Sequence, residues 1–559
     1  MRRIILLILL STALFTPSVA WEMRGNIYPA DDGIIQWNAD NFAGLDPKGS
    51  EAIEFNISGQ QLGTGAAKYQ SGIQNIPFRH KAWGSYSALS FLGRQYFTGY
   101  PESSQISEPV NLFAQEYLLG NVIMDSDDSY TLEGQQPLSL KDGYNLKFSD
   151  AEDGVKVSLY KRSKLADSQV LQPPADYIYE GAIANQNTTL IAVAVKANVK
   201  LEPQSYYTIK GVFQVSEETD LIEPGMKYGR MQVDSLSESG IKLINPDVIS
   251  LSKGQDLELM DDFRIKTSSI NASSDRFYIY RNATESELPE IRSEIAMGDF
   301  SWTPQNFAGF YYDVDEDLGA ESLATTLYDN KLEEPNGVAY STTAQQKEFE
   351  FKDWGHYNIL AFLGESYVAS YGEDSLLSRS SVESNLLSSE NLGRVLMDSG
   401  EPRIIENGAN LTLEEGLEAK IYVDQSCSKA LIELYGGGEL IDRDYIELPN
   451  TYIYKKGLEG IDEIAVLAIH IADPNCTPKK SCLVDGIFQM SEELVDVSVD
   501  HPFGNMRIAS VSSDTITMDN KDNTISLSKK VDTVLAGNYH LKAIDGESLR
   551  YYIFKPIST

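Results

Sequence analysis

The sequence predicts an all-β protein built by tandem duplication. Three observations carry this: an ordered set of motifs occurs twice, the apolar runs between them are short and rich in β-branched residues, and turn residues interrupt them often. Asn41-Phe42-Ala43-Gly44 after Trp37 returns as Asn306-Phe307-Ala308-Gly309 after Trp302. Trp83-Gly84-x-Tyr86 with Phe91-Leu92-Gly93 returns as Trp354-Gly355-x-Tyr357 with Phe362-Leu363-Gly364. Gly120-x-Val122-x-Met124-Asp125-Ser126 returns as Gly393-x-Val395-x-Met397-Asp398-Ser399. Gly211-x-Phe213-Gln214-x-Ser216-Glu217-Glu218 returns as Gly486-x-Phe488-Gln489-x-Ser491-Glu492-Glu493. Two further pairs are Ile249-Ser250-Leu251-Ser252 with Ile525-Ser526-Leu527-Ser528, and Arg276-Phe277-Tyr278-Ile279-Tyr280 with Arg550-Tyr551-Tyr552-Ile553-Phe554. The spacings are 265, 271, 273, 275, 276 and 274, collinear with a small drift, as expected when loops change length and strands keep their places. The repeats therefore run over 21–281 and 291–559, joined by the polar, proline-bearing linker 282–290. Each is too long for one sandwich of about 100 residues, so each is expected to hold two.

Ile191-Ala192-Val193-Ala194-Val195 and Ile464-Ala465-Val466-Leu467-Ala468-Ile469 read as strands. Tyr206-Tyr207-Thr208-Ile209 and Tyr452-Ile453-Tyr454 read as aromatic strand pieces. Asp31-Asp32-Gly33, Asp142-Gly143, Asp153-Gly154, Asn407-Gly408 and Asp545-Gly546 supply turns. Only Val110 to Leu119 and Val382 to Leu392 have room for a short helix. The shared residues are Trp, Gly, Phe, Tyr and Met with a few turn acids, which fill interiors and shape corners.

The first twenty residues read as a secretory signal peptide: Arg2 and Arg3, the apolar run Ile4 to Phe15, and the small-residue cleavage site Ser18-Val19-Ala20. No later stretch approaches the ~20 apolar residues of a transmembrane helix. The net charge of −36, from 82 acidic and 46 basic residues, repels phosphate backbones and excludes nucleic acid as a partner.

Catalytic chemistry is hard to find. There are five histidines, and His356, His470, His501 and His540 have no counterpart in the first copy; His470, inside an apolar strand, reads as a core or edge imidazole. Nucleophile-elbow, zincin and Walker motifs are absent, and the copies share no evident polar constellation. The non-enzyme reading follows. Asp313, Asp315 and Asp317 have the oxygen spacing that opens a calcium loop, which makes them candidates for a weak surface site for Ca2+ or another divalent cation. Asp125-Ser126-Asp127-Asp128 is a weaker one. Sequons for N-glycosylation stand at Asn56, Asn187, Asn271, Asn282, Asn410 and Asn475. Of three cysteines, Cys476 and Cys482 are spaced to close a small disulfide loop and leave Cys427 over, with other pairings open.

The signal peptide, the duplication, the Trp-Gly-x-Tyr…Phe-Leu-Gly segment, the Val-x-Met-Asp block and the closing Leu549-Arg550-Tyr551-Tyr552 together resemble the S-layer proteins of methanogenic archaea of the Methanosarcina type. The resemblance covers nearly the whole mature chain. It implies two β-sandwich domains per repeat, the second over about 131–221 and 411–495, and a porous acidic lattice of many copies, with related S-layer subunits, outside the cytoplasmic membrane. The family's main lattice protein is implied to carry a tether and a C-terminal membrane helix. This sequence reaches Thr559 with neither, so it is either an unanchored relative held by lateral contacts or lacks its anchor as given. The rival readings are a secreted adhesin or carbohydrate-binding β-sandwich, and a secreted glycoside hydrolase using two carboxylates.

Overall fold

In the computed structural model of the chain, the strand Gln186–Leu201 is buried on both faces from Leu190 to Val195. That is why its sequence is a continuous apolar run and not an alternating one. One face is covered by a four-stranded antiparallel sheet (Leu138–Ser139, Tyr144–Ala151, Gly154–Lys161, Lys164–Leu171) that contributes Leu146, Phe148, Val155, Val157 and Leu159 to the core. Against the other lie Phe78, Trp83, Tyr86 and Tyr100, brought round as the large sheet curls; the Tyr100 hydroxyl donates to Thr189 O at 2.6 Å. Repeat 2 repeats the plan. In Ile461–Ile471, residues Leu467, Ile469 and Ile471 pack with the four-stranded sheet Asn410–Thr412, Leu417–Val423, Lys429–Gly436 and Glu439–Glu447. Ile464, Val466 and Ala468 pack with Phe349, Trp354 and Tyr357.

The structure describes residues 21–47, 49–134, 136–183, 186–201, 204–283, 290–378, 385–458, 461–472, 481–528, 532–544 and 548–557. The expected signal peptide, the 284–289 part of the linker, Asn475, Cys476 and the Asp545-Gly546 turn lie outside them.

The remaining sandwich of each repeat is made from the repeat's two ends. In repeat 1, Phe263, Ile265, Phe277 and Ile279 of a five-stranded sheet close over Trp37, Phe55 and Tyr69. In repeat 2, Leu541, Tyr551 and Ile553 close over Trp302 and Tyr340. First and last strands pair antiparallel, Trp21 opposite Ala283 and Glu290 opposite Pro556. The fold is thus all-β, duplicated, with two sandwiches per repeat. The second sandwich is inserted into the first. Its core reaches back to Ile76 in repeat 1 and Phe349 in repeat 2, before the 131 and 411 read from sequence, because Ser85–Phe91 and His356–Phe362 reach its sheet through their hairpin partners Arg94–Tyr100 and Glu365–Tyr371, which pair with Leu118–Glu133 and Asn391–Ser399.

The strand Gln61–Pro77 serves both sandwiches of repeat 1, pairing with Ala52–Ile57 and Gly240–Ile244 and then with Ser85–Phe91. In repeat 2 the path is two strands, Val338–Thr343 and Gln345–Glu348, so one 14-stranded sheet corresponds to separate sheets of six and eight. The hydrogen bond at the junction survives: Ile73 N donates to Ser239 O at 2.8 Å and Ala344 N to Asp514 O at 2.7 Å. The two helical expectations resolve to one turn each, Leu112–Glu116, capped by the Asn111 side chain, and Leu387–Ser389. Among the described residues no helix is long and apolar enough to cross a membrane.

Candidate functional site

The motif residues do the same packing work in both repeats. Trp83 meets Phe78 edge-on at 5.9 Å and Trp354 meets Phe349 at 5.8 Å; Phe78 meets Phe213 at 4.8 Å and Phe349 meets Phe488 at 4.9 Å. Gly84 and Gly355 have φ of 77° and 80°, and a Cβ on Gly84 would lie 2.0 Å from Ser103 O. Asp125 and Asp398 accept the backbone N–H groups of Arg79 (3.1 Å) and Glu350 (3.0 Å), holding the turn that presents each tryptophan. Burial pushes the Asp398 carboxyl up to about 6.

A polar constellation underlies these contacts in both copies, contrary to the sequence reading. Glu51 accepts hydrogen bonds from Tyr69 Oη (2.6 Å), Gly93 N (2.8 Å) and Asp46 N (2.9 Å). Glu321 accepts from Tyr340 Oη (2.9 Å), Gly364 N (2.9 Å) and Tyr311 N (2.8 Å). Burial raises both carboxyls, Glu321 to about 7, while the three donors pull the other way. Gln214 clamps Lys141 N and O at 2.9 and 3.0 Å, and Gln489 clamps Glu414 N and O at the same distances. Asn245 and Asn520 accept from Ala67 N (2.8 Å) and Val338 N (3.0 Å). All six side chains are at most 2 % exposed. They tie backbone to backbone and open onto no cleft that admits a substrate. The signal for the acids is in the sequence, as Gly49-x-Glu51 and Gly319-x-Glu321 at a spacing of 270.

Each carboxylate of the Asp313, Asp315 and Asp317 run has a partner within the chain. Asp317 is taken by Arg276 and Tyr312, Asp315 accepts from Ser269 N at 2.6 Å, and Asp313 faces Lys347 at 3.4 Å. Two of these partners, Arg276 and Ser269, belong to repeat 1. Likewise Asp125 is on Arg79 N and Asp127 pairs with His80 at 2.7 Å. Among the described residues no three His, Cys, Asp or Glu side chains converge as a metal site.

The acidic run lies in the joint between repeats, and that joint is reciprocal. Arg24 donates to Pro304 O at 2.8 Å, and its equivalent Arg292 donates to Ala39 O, the equivalent of Pro304, at 2.5 Å. Ile27 N donates to Gln305 O and Ile295 N to Asp40 O, both at 2.9 Å. Asn26 donates to Glu294, its own equivalent, at 3.0 Å. Arg24 lies 5.7 Å over Tyr278 and Arg292 lies 5.6 Å over Tyr552, with Glu22 and Glu290 accepting the tyrosine hydroxyls. Burial lowers both arginines, Arg24 to about 10. Each contact and its mirror make a pseudo-two-fold interface, the pattern of an isologous dimer inside one chain.

The sequon asparagines Asn56, Asn187, Asn271, Asn282 and Asn410 are exposed. Asn187 donates to Glu180 (2.7 Å) and Asn410 to Glu418 (2.9 Å). The Cys476–Cys482 pairing is overturned: Cys482 is a free thiol buried in the strand Ser481–Asp496, pushed up to about 11 by burial, and Cys427 is the disulfide-bonded one. Each histidine sits against one aspartate; His470 pairs with Asp485 at 2.5 Å and stacks on Phe351 at 4.1 Å.

A family model described as S-layer protein matches residues 28–269 and 292–545, one match per repeat. The chain belongs to the S-layer protein family. The major S-layer protein of Methanosarcina mazei is 24 % identical over 95 % of this chain and 83 % of its own length. Those of Methanosarcina barkeri and Methanosarcina acetivorans are 24 % and 23 % identical, covering 89 % and 95 % of this chain and 74 % and 83 % of theirs. As an S-layer protein the chain is a structural surface-layer component, and the adhesin reading is not favoured. Its interior clamps hold each repeat together, and the two-fold joint links one repeat to the other.

Proposed function

We propose that the protein assembles with copies of itself, and with related S-layer subunits, into a porous lattice outside the cytoplasmic membrane, that it acts there as wall and sieve, and that it has no catalytic activity. The observation that carries this is where the polar groups lie: the shared clamps are sealed in the interior, and among the described residues only Glu51, Glu321 and Glu433 are buried carboxylates in a chain of net charge −36. Pores lined by such a surface pass cations and neutral solutes and hold back anions, within about 8–10 Å of the wall at ordinary ionic strength.

Electron microscopy of native envelopes with a label on this polypeptide tests it. The expected result is an ordered array containing the label, with anionic dyes crossing more slowly than cationic dyes of equal size and the difference shrinking in high salt. Recovery of the chain as a free monomer holding a sugar overturns the reading in favour of the carbohydrate-binding alternative.

A further inference from the structure

Sheet edges are aggregation hazards, and folded proteins blunt them with charge, proline or short length. Some edges here follow that rule: Ala175–Ile183 exposes Asp176 and Glu180, and Asp256–Met260 exposes Asp256 and Glu258. Others expose large apolar side chains, as Gly33–Asn38 does with Ile34 and Arg403–Glu406 with Ile404. Two further such edges form a pair. Lys164–Leu171 and Glu439–Glu447 end their four-stranded sheets, and among the described residues neither has a strand partner on its outer side. They expose Leu165 (60 %) and Val170 (56 %) in repeat 1, and Leu440 (45 %), Ile441 (40 %) and Tyr445 (55 %) in repeat 2. They occupy equivalent places in the two repeats, on either side of the pseudo-two-fold joint.

Their charges are opposite. The hairpin 154–171 carries four cations, Lys156, Lys161, Arg162 and Lys164, against the single acid Asp167. The hairpin 429–447 carries Glu433, Glu439, Asp442, Asp444 and Glu447 against two cations. A net-positive hairpin in so acidic a protein calls for a negative partner, and the equivalent hairpin of the other repeat supplies one.

We propose that Lys164–Leu171 of one copy pairs antiparallel with Glu439–Glu447 of the next, joining two outer sheets into one continuous eight-stranded sheet. This rests on the lattice reading and names its contact. Backbone ladder bonds give the affinity, the exposed apolar side chains close over the seam, and the charge difference sets which edges meet. Pairing like with like through one kind of edge alone would close a dimer and stop. Pairing unlike edges is heterologous and leaves a free edge at each end, so it extends without limit. Antiparallel pairing is itself locally two-fold; alternating with the internal two-fold, on parallel axes, it generates a straight row.

The test is disulfide crosslinking of the full chain carrying Gln169→Cys or Asp444→Cys, mid-strand positions on the same face of their sheets, opposite Val157 and Ile432. The two variants mixed are expected to form crosslinked dimers at least about tenfold above either variant alone or the parent. Lys164→Glu is expected to lower that yield about tenfold, and Lys164→Glu with Asp444→Lys in one chain to restore row formation. Crosslinking of the Asp444→Cys variant with itself as readily as with its partner overturns the proposal in favour of a closed dimer. Absence of crosslinks while the unaltered chain forms sheets by electron microscopy overturns the edge contact and leaves the lattice reading standing. Absence of both overturns the two together.

Discussion

Gln214 in repeat 1 and Gln489 in repeat 2 clamp their hairpins with the same atoms at the same distances, yet the sheets those hairpins belong to end in outer hairpins of opposite net charge. Inside, a change of one methylene disturbs close-packed neighbours, so the duplicated residues have little room to diverge. Outside, a side chain answers only to water or to another molecule. The difference between the repeats therefore locates what the fold does not dictate. The inter-repeat joint obeys the same division: its paired bonds through Arg24 and Arg292 are matched, while Arg276 binds Asp317 and its equivalent Arg550 binds Asp40, which are not equivalent acids.

If the interiors are interchangeable, matched substitutions must cost alike. Trp83→Ala and Trp354→Ala are expected to destabilise their own repeats by about 3–5 kcal/mol each, read as two comparable losses in calorimetry. A large inequality would show that one copy has lost its dependence on the shared core.

Glu321 sharpens the comparison through pH. Its folded carboxyl is raised from 4.5 to about 7, so the folded state holds a proton that the unfolded chain has released. The stability this group contributes is fully present below about pH 4.5 and is lost as pH rises through about 7, a change on the order of 3 kcal/mol or less. Melting of repeat 2 between pH 4.5 and 8 should show this fall, and Glu321→Gln should flatten it. An unchanged slope in the variant would mean another group carries the dependence.

Gln214→Leu and Gln489→Leu each leave a backbone N–H and C=O without their clamp and should cost about 1–3 kcal/mol, equal in the two repeats. The smallest effect is expected at the joint: Arg276→Ala removes a part-exposed ion pair and should lower stability by about 1 kcal/mol or less while loosening the repeats, measurable as faster proteolysis between them. Arg550→Ala should do the same if the two asymmetric contacts serve one purpose.

Much of this was legible in the sequence. The duplication, the strand content and the corner role of Gly84 follow from motif order and residue type, and the strand at Ile191 follows from its run of apolar and β-branched residues. Glu51 and Glu321 escaped because a lone acid in an acidic chain carries no signal; only its spacing and its distant donors, Tyr69 and Gly93, mark it. The same remoteness hides the partner of Asp317, whose charge is answered by Arg276, while Cys482 is a buried free thiol within a strand. The insertion of one sandwich into the other is a fact of pairing and is invisible to local pattern.

Each repeat begins and ends on neighbouring strands, Trp21–Arg24 beside Arg276–Ala283 and Glu290–Arg292 beside Arg550–Pro556. A module whose entrance and exit share one doorway can be added to or removed from a polypeptide without reopening a sandwich core. Gene duplication can then lengthen such a chain in whole-module steps.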